Sequence, residues 1–122
     1  YISGPEMQVM HHKPGDKLGK NSGGSLYDMY VPTENPFKGD VWTTYKIVCK
    51  GNHIQQYVNG VKVVDVEIGS DDWKAVYAKS KWAKQALFAT QKTGYIALQD
   101  HGAKISFRNA KIRVIEKQKA AE

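Results

Sequence analysis

The chain has 122 residues, with 18 Lys and Arg against 12 Asp and Glu, for a formal charge of +6. That length bounds it at one domain, residues 1–122; no apolar run is long enough to span a membrane as a helix, and the lone Cys49 excludes an internal disulfide. The charge permits an acidic or nucleic-acid partner, but the lysines are scattered and the only arginines are Arg108 and Arg113, so a solvated surface is favoured over a nucleic-acid face.

Residues 5–10, PEMQVM, alternate as a strand. Glu6, Gln8 and Met10 share one face, Met7 and Val9 the other. The Glu6/Gln8 pair suits either a binding surface or a solvated sheet face. Residues 11–25, HHKPGDKLGKNSGGS, are a loop by their Gly, Lys, Asn and Ser content. Adjacent His11 and His12 point apart on an extended chain and make a weak metal site by themselves. The loop also lacks the G-x-x-x-x-G-K-[ST] phosphate pattern. Residues 26–31, LYDMYV, read as a short strand. Residues 32–40 form a connection broken by two prolines, with Phe37 plugging it to the core.

Residues 42–67 show the clearest architecture. Strands are predicted over 42–50, 53–58 and 61–67, with turns at Gly51-Asn52 and Asn59-Gly60. Asn-Gly between two β-runs is the strongest short hairpin signal, so the three should form an antiparallel meander. Tyr45, Ile47 and Cys49 fall in phase, which makes Cys49 a small core residue. Ile54, Gln56 and Val58 share one face of the middle strand; His53, Gln55 and Tyr57 share the other. That second face suits a sugar, with a ring to stack on a pyranose and amides to bond its hydroxyls. It equally suits a sheet face that meets water.

Residues 70–86 are the one helical candidate. Ser70 can cap it, and Asp71 and Asp72 favour the dipole of its first turn. Trp73, Val76 and Tyr77 follow helical spacing, and Trp82 and Leu87 continue the apolar stripe past a break. Residues 93–116, TGYIALQDHGAKISFRNAKIRVIE, then hold two β-runs joined at Asp100-His101-Gly102. Ile105 and Phe107 have opposite parity to Ile112 and Val114. A one-residue bulge near Asn109-Ala110 would bring all four to the core side. The tail, residues 117–122, should be frayed.

GYIALQDHG followed by ISFRNAKIRVIE resembles the closing signature of the 3-keto-disaccharide hydrolase domain family, which is related in fold to concanavalin A-like lectins and glucanases. The resemblance runs on through WTTYKIVCKGNHIQQYVNGVKVVDVE and GPEMQVMHH, and so covers nearly the whole chain. It implies an all-β, concanavalin A-like β-sandwich (a jelly roll), to which the residue pattern adds the one short helix near 70–86. Members carry further strands before the position that matches Pro5. Residues 1–122 are therefore expected to be the C-terminal part of such a domain, completed by those strands or by another copy of the chain. A periplasmic or secreted protein is implied, although no export signal is visible in these residues. One departure stands out: the acid that often follows the E-x-Q strand is replaced here by Met10-His11-His12.

The resemblance implies action on glycosides oxidised to a ketone at C3. The ketone acidifies the C2 proton, a base removes it, and the aglycone leaves C1 by elimination; water then adds. His101 is the expected base, with Asp100 to orient it or to bind a cation, and Glu6 beside them as a catalytic group. Gln8, His53, Gln55, Tyr57, Gln99 and Arg108 are the expected substrate-binding residues. Glu6, Gln8, Gln55, Tyr57, Gln99 and His101 should converge on one concave surface. A divalent metal ion could polarise the ketone, but its ligand set is not legible. The alternative is a non-catalytic, lectin-like carbohydrate-binding module, because one fold serves both uses.

Overall fold

A computed structural model describes residues 3–116. Tyr1, Ile2 and the tail expected to fray over 117–122 lie outside the described residues. The chain divides into two compact units, Tyr1–Lys92 and Thr93–Glu122.

The first unit is built on a three-stranded antiparallel sheet of β1 (Tyr45–Lys50), β2 (His53–Val58) and β3 (Val61–Glu67), in the order β1-β2-β3. Both expected turns form. Gly51, Asn59 and Gly60 take left-handed φ values of 60°, 49° and 80°, which a two-residue hairpin turn requires and which Gly and Asn tolerate best. Asn59 also ties the turn down. Its Oδ1 accepts from the Thr44 N–H at 3.1 Å and its Nδ2 donates to the Pro36 carbonyl at 2.9 Å. The first strand begins at Tyr45 rather than at Trp42.

Register breaks once, between Gln56 and Tyr57. Gln56 pairs with Val64, but Tyr57 pairs with Lys62, so Val63 is an extra residue in β3. This β-bulge reverses side-chain parity along β3. Val63 and Val64 are both buried, and Lys62 and Asp65 both face outward.

The core lies on the Ile54/Val58 side of the sheet. Val63, Val64 and Val66 join it, with Leu26, Met29 and Phe37 from the loops that precede the sheet. Phe37 plugs the core as expected. Gln56 is buried on the same side, its side-chain oxygen without a hydrogen-bond partner among the described residues. Cys49 is exposed, contrary to the core role its phase suggested. The sheet's edge strand is poorly covered: Ile47, in the same phase, is also exposed.

The segment 5–10 runs antiparallel to residues 24–27 without becoming a full strand. The Tyr27 N–H donates to the Glu6 carbonyl at 2.9 Å, and the Gln8 N–H to the Ser25 carbonyl at 3.1 Å. The expected strand LYDMYV is instead a tight turn. The Met29 and Tyr30 N–H groups both donate to the Leu26 carbonyl at 2.9 Å, and Asp28 sits at φ 60°. Asp tolerates this left-handed conformation better than most residues, and its side chain then serves as a clasp. Oδ2 accepts from the Lys81 N–H at 2.6 Å, and Oδ1 pairs with Lys20 Nζ at 2.9 Å.

Burial by itself would raise the Asp28 pKa, but the hydrogen bonds from Lys20 and from the Lys81 backbone outweigh it and hold the carboxyl below its ordinary value. A lowered folded-state pKa stabilises the fold above the unfolded value, and that contribution is lost as pH falls through the folded value. Asp28→Asn keeps the left-handed preference and removes the charge. It should cost about 1.5–3 kcal/mol at neutral pH, the usual worth of a hydrogen bond to a charged group. It should also remove part of the stability that the wild type loses in acid, as urea titrations at pH 7 and below pH 4 will show.

The helix α1 (Asp71–Lys79) starts as expected, with the Ser70 Oγ accepting from the Trp73 N–H at 3.1 Å. It ends sooner than the apolar stripe implied. Ser80 takes an extended conformation, donates from Oγ to the Tyr77 carbonyl at 2.8 Å, and accepts from the Trp82 N–H at 3.1 Å. One serine thus closes α1 and opens a 3₁₀ turn, Lys81–Lys84. The turn rotates Trp82 into the core, where its Nε1 donates to the Tyr27 carbonyl at 3.1 Å. Phe88 lies at the centre of the resulting ring stack. Its centroid is 4.9 Å from Trp82, 6.1 Å from Tyr77 and 6.3 Å from Trp73. Leu87, assigned to the stripe from spacing, is exposed.

The second unit departs most from expectation. None of residues 93–116 is in a strand. Tyr95, Ile96, Leu98, Ile112 and Val114 are exposed, the last two at 78% and 83%. A single alternating run has no stable conformation until a partner satisfies its backbone and covers its apolar face. The described residues of this unit supply no such partner. Asn109 nevertheless adopts φ 54°, at the point where parity changes in the sequence.

Candidate functional site

Of the residues expected to serve a site, His53, Gln55 and Tyr57 are brought together on the outer face of β2. They do not stand there as free sugar-bonding groups. The Tyr57 hydroxyl donates to Gln55 Oε1 at 3.3 Å, and Gln55 Nε2 donates to Asp65 Oδ2 at 3.1 Å. His53 Nε2 bonds Asp65 Oδ1. Lys62 Nζ closes on Asp65 Oδ2. Lys46, directly across from Tyr57 on β1, places its ammonium 4.0 Å from the centre of the phenol ring. One ring face is therefore occupied by a cation rather than open for stacking.

Asp65 is the hub. It lies opposite Gln55 in the β2–β3 register and diagonal to His53. The hydrogen bond from Lys62 holds its carboxyl well below the usual carboxylate range, with His53 and Gln55 adding to the effect. In return, that bond raises the Lys62 ammonium above its ordinary value. Asp65 is therefore an acceptor only. The imidazole nitrogen that faces it must carry the proton, and the lone pair of neutral His53 is on Nδ1.

Asp65 and Lys62 were not among the residues expected from the sequence. In a regular strand, residues 62 and 65 face opposite ways. The bulge at Val63 brings them to one face. The available signal was the doubled valine in VKVVDV, where strict alternation breaks.

Glu6 and Gln8 are both half-buried on the extended segment beside residues 24–27. His11 and His12 separate, as expected. His11 Nε2 is 3.5 Å from Asp40 Oδ1, while His12 Nε2 accepts from the Gly23 N–H at 2.9 Å. Among the described residues, no three His, Cys, Asp or Glu side chains gather in a way that could hold a metal ion. The donor set of the described residues does not fit one, and no step below is routed through a metal.

Gln99, Asp100, His101 and Arg108 lie in the second unit, all exposed. The corner at 100–102 is organised by its own backbone. Asp100 Oδ1 accepts from the Gly102 N–H at 2.9 Å, and Gly102 takes φ 86°. Asp100 therefore caps the turn through Gly102.

The sequence model of the 3-keto-alpha-glucoside-1,2-lyase-like domain matches residues 1–113. A 3-keto-disaccharide hydrolase of Bacteroides thetaiotaomicron is 29% identical over 133 aligned residues, covering 95% of this chain and 46% of the relative. A solved structure from Parabacteroides distasonis, of a protein assigned as a glycosyl hydrolase, superposes with a TM-score of 0.61 at 24% identity, over 74% of this chain and 46% of that one. At that identity the superposition speaks for the fold alone. The chain spans about half the length of each.

Proposed function

The chain belongs to the 3-keto-alpha-glucoside-1,2-lyase-like domain family, and on that premise we propose that the protein cleaves the glycosidic bond of 3-keto-glycosides by elimination followed by hydration. The match over residues 1–113 carries this reading. The similarity to a 3-keto-disaccharide hydrolase supports it. The jelly roll with a concave cleft belongs to the same proposal.

The C3 ketone makes the C2 proton removable at neutral pH because the carbanion is delocalised as an enolate. When the carbonyl reforms, the C1–O bond breaks, the aglycone departs and a C1=C2 double bond is left. Water then adds at C1 and a proton at C2, for net hydrolysis. His101, in the LQDHG signature, is the candidate base. Glu6, Gln8, Gln99 and Arg108 are candidate partners for the sugar hydroxyls.

The test is direct. Purified protein is incubated with a 3-keto-glucoside and, separately, with the unoxidised glucoside, and released aglycone is measured. Release from the keto form alone is the expected result. Binding of the keto-glucoside without release would mean a lectin-like module instead. Neither binding nor release would overturn the assignment.

A further inference from the structure

We propose that His53 is an acid–base residue of this reaction, serving the glycosidic oxygen, and that Asp65 is its positioning residue. The proposal rests on the reading above and names a group that this chemistry needs. Removal of the C2 proton is half of the elimination. The departing oxygen of a sugar or alkyl aglycone is a poor leaving group unless it is protonated as the C1–O bond breaks. The incoming water must later give up a proton as its oxygen bonds to C1.

Among the described residues, His53 is an imidazole whose ring is directed by a carboxylate held firmly ionised. Asp65 accepts from His53 Nε2 and from two further donors, Gln55 and Lys62. A carboxylate with three donors has little freedom to turn. The bond to Asp65 persists in both charge states of the ring, because Nε2–H is present in both. The proton that comes and goes is therefore on Nδ1, which has no hydrogen-bond partner among the described residues. The side chain is 42% exposed, so a substrate can reach it. In the imidazolium state, Nδ1–H gives its proton to the aglycone oxygen as that oxygen takes the C1–O electron pair. Neutral Nδ1 then takes a proton from water as the water oxygen bonds to C1, and the ring is restored.

The imidazole of His101 has no carboxylate partner among the described residues; Asp100 Oδ1 accepts from the Gly102 N–H instead. His11 pairs with an Asp40 side chain that is itself wholly exposed. Nε2 of His12 is taken by a backbone N–H. The arrangement at His53 has the logic of a carboxylate that orients an imidazole and selects its tautomer in acyl transfer.

The experiment compares two 3-keto-glucosides, one with a nitrophenol aglycone that leaves without protonation and one with an alkyl aglycone that does not. His53→Ala should lower the single-turnover rate of aglycone release, which precedes hydration, by roughly 10²–10⁴-fold on the alkyl substrate and leave that on the nitrophenyl substrate within a few-fold of wild type. Asp65→Asn should show the same selective loss, with KM little changed and with the Nε2–H tautomer of His53 no longer dominant in ¹⁵N imidazole spectra. Equal loss on both substrates would overturn the proposal and leave His53 a structural or binding residue. No loss on either would overturn it as well. Wild-type protein inert towards both keto substrates would instead overturn the proposed reaction, and this role would fall with it.

Discussion

His101→Ala is expected to reduce turnover of a 3-keto-glycoside by roughly 10²–10⁴-fold, the usual contribution of a positioned acid–base group, with no change in thermal stability. The second half of that expectation comes from the corner itself. The turn at 100–102 is held by the Asp100 carboxylate on the Gly102 N–H and by the left-handed glycine. The imidazole of His101 is exposed, and no buried group relies on it. Its removal should therefore leave the corner as it is. Initial rates for wild type and variant, alongside a melting curve for each, separate the two effects. Activity within a few-fold of wild type would remove His101 as the base and move that role to Glu6.

The largest effect on stability should come from Phe88→Ala, a loss of about 3–5 kcal/mol. Three rings contact Phe88: Trp73 and Tyr77 from α1, and Trp82 from the 3₁₀ turn. Tyr30 extends the stack by packing 6.1 Å from Trp73 while its hydroxyl donates to Asp72 Oδ2 at 2.7 Å. A methyl group in place of the Phe88 ring leaves a cavity walled by rigid aromatics, which cannot collapse to fill it. The backbone around it is also bound, with the Phe88 N–H donating to the Gln85 carbonyl and the Ala89 N–H to the Ser3 carbonyl. Phe88→Leu should cost less, because it refills most of the volume. Urea unfolding of the two variants beside wild type is the check. A loss under about 1 kcal/mol for alanine, the size of a surface effect, would mean that the stack does not act as a packing unit.

His53 and Asp65 show how far a linear reading reaches. The outward set His53, Gln55 and Tyr57 was legible from period-two alternation and the Asn59-Gly60 turn. What that set does was not legible, because its partners come from neighbouring strands. Lys46 arrives from β1, and Lys62 and Asp65 arrive together only because Val63 is bulged. A face that suited a sugar and a solvated sheet surface equally carries an internally bonded network, with His53 Nδ1 unpartnered among the described residues.

By itself the sequence determined what short-range sterics and hydrogen bonding determine. These are the two hairpin turns, the phase of β2, the Ser70 cap, the divergence of His11 from His12, and the family of the chain. Each depends on a few consecutive residues, whose φ/ψ preferences and side-chain spacing do not await a partner. Tertiary structure decided whatever needs a partner far along the chain. It gathered Trp73, Tyr77, Trp82 and Phe88 into one stack, and turned LYDMYV into a clasp through Asp28 and Lys81. It left Cys49 exposed on an uncovered edge strand, and residues 93–116 outside any strand. The reason is the same in each case. An alternating pattern states which face a residue prefers, but burial requires a second surface to cover that face, and a backbone ladder requires a second strand to receive its hydrogen bonds.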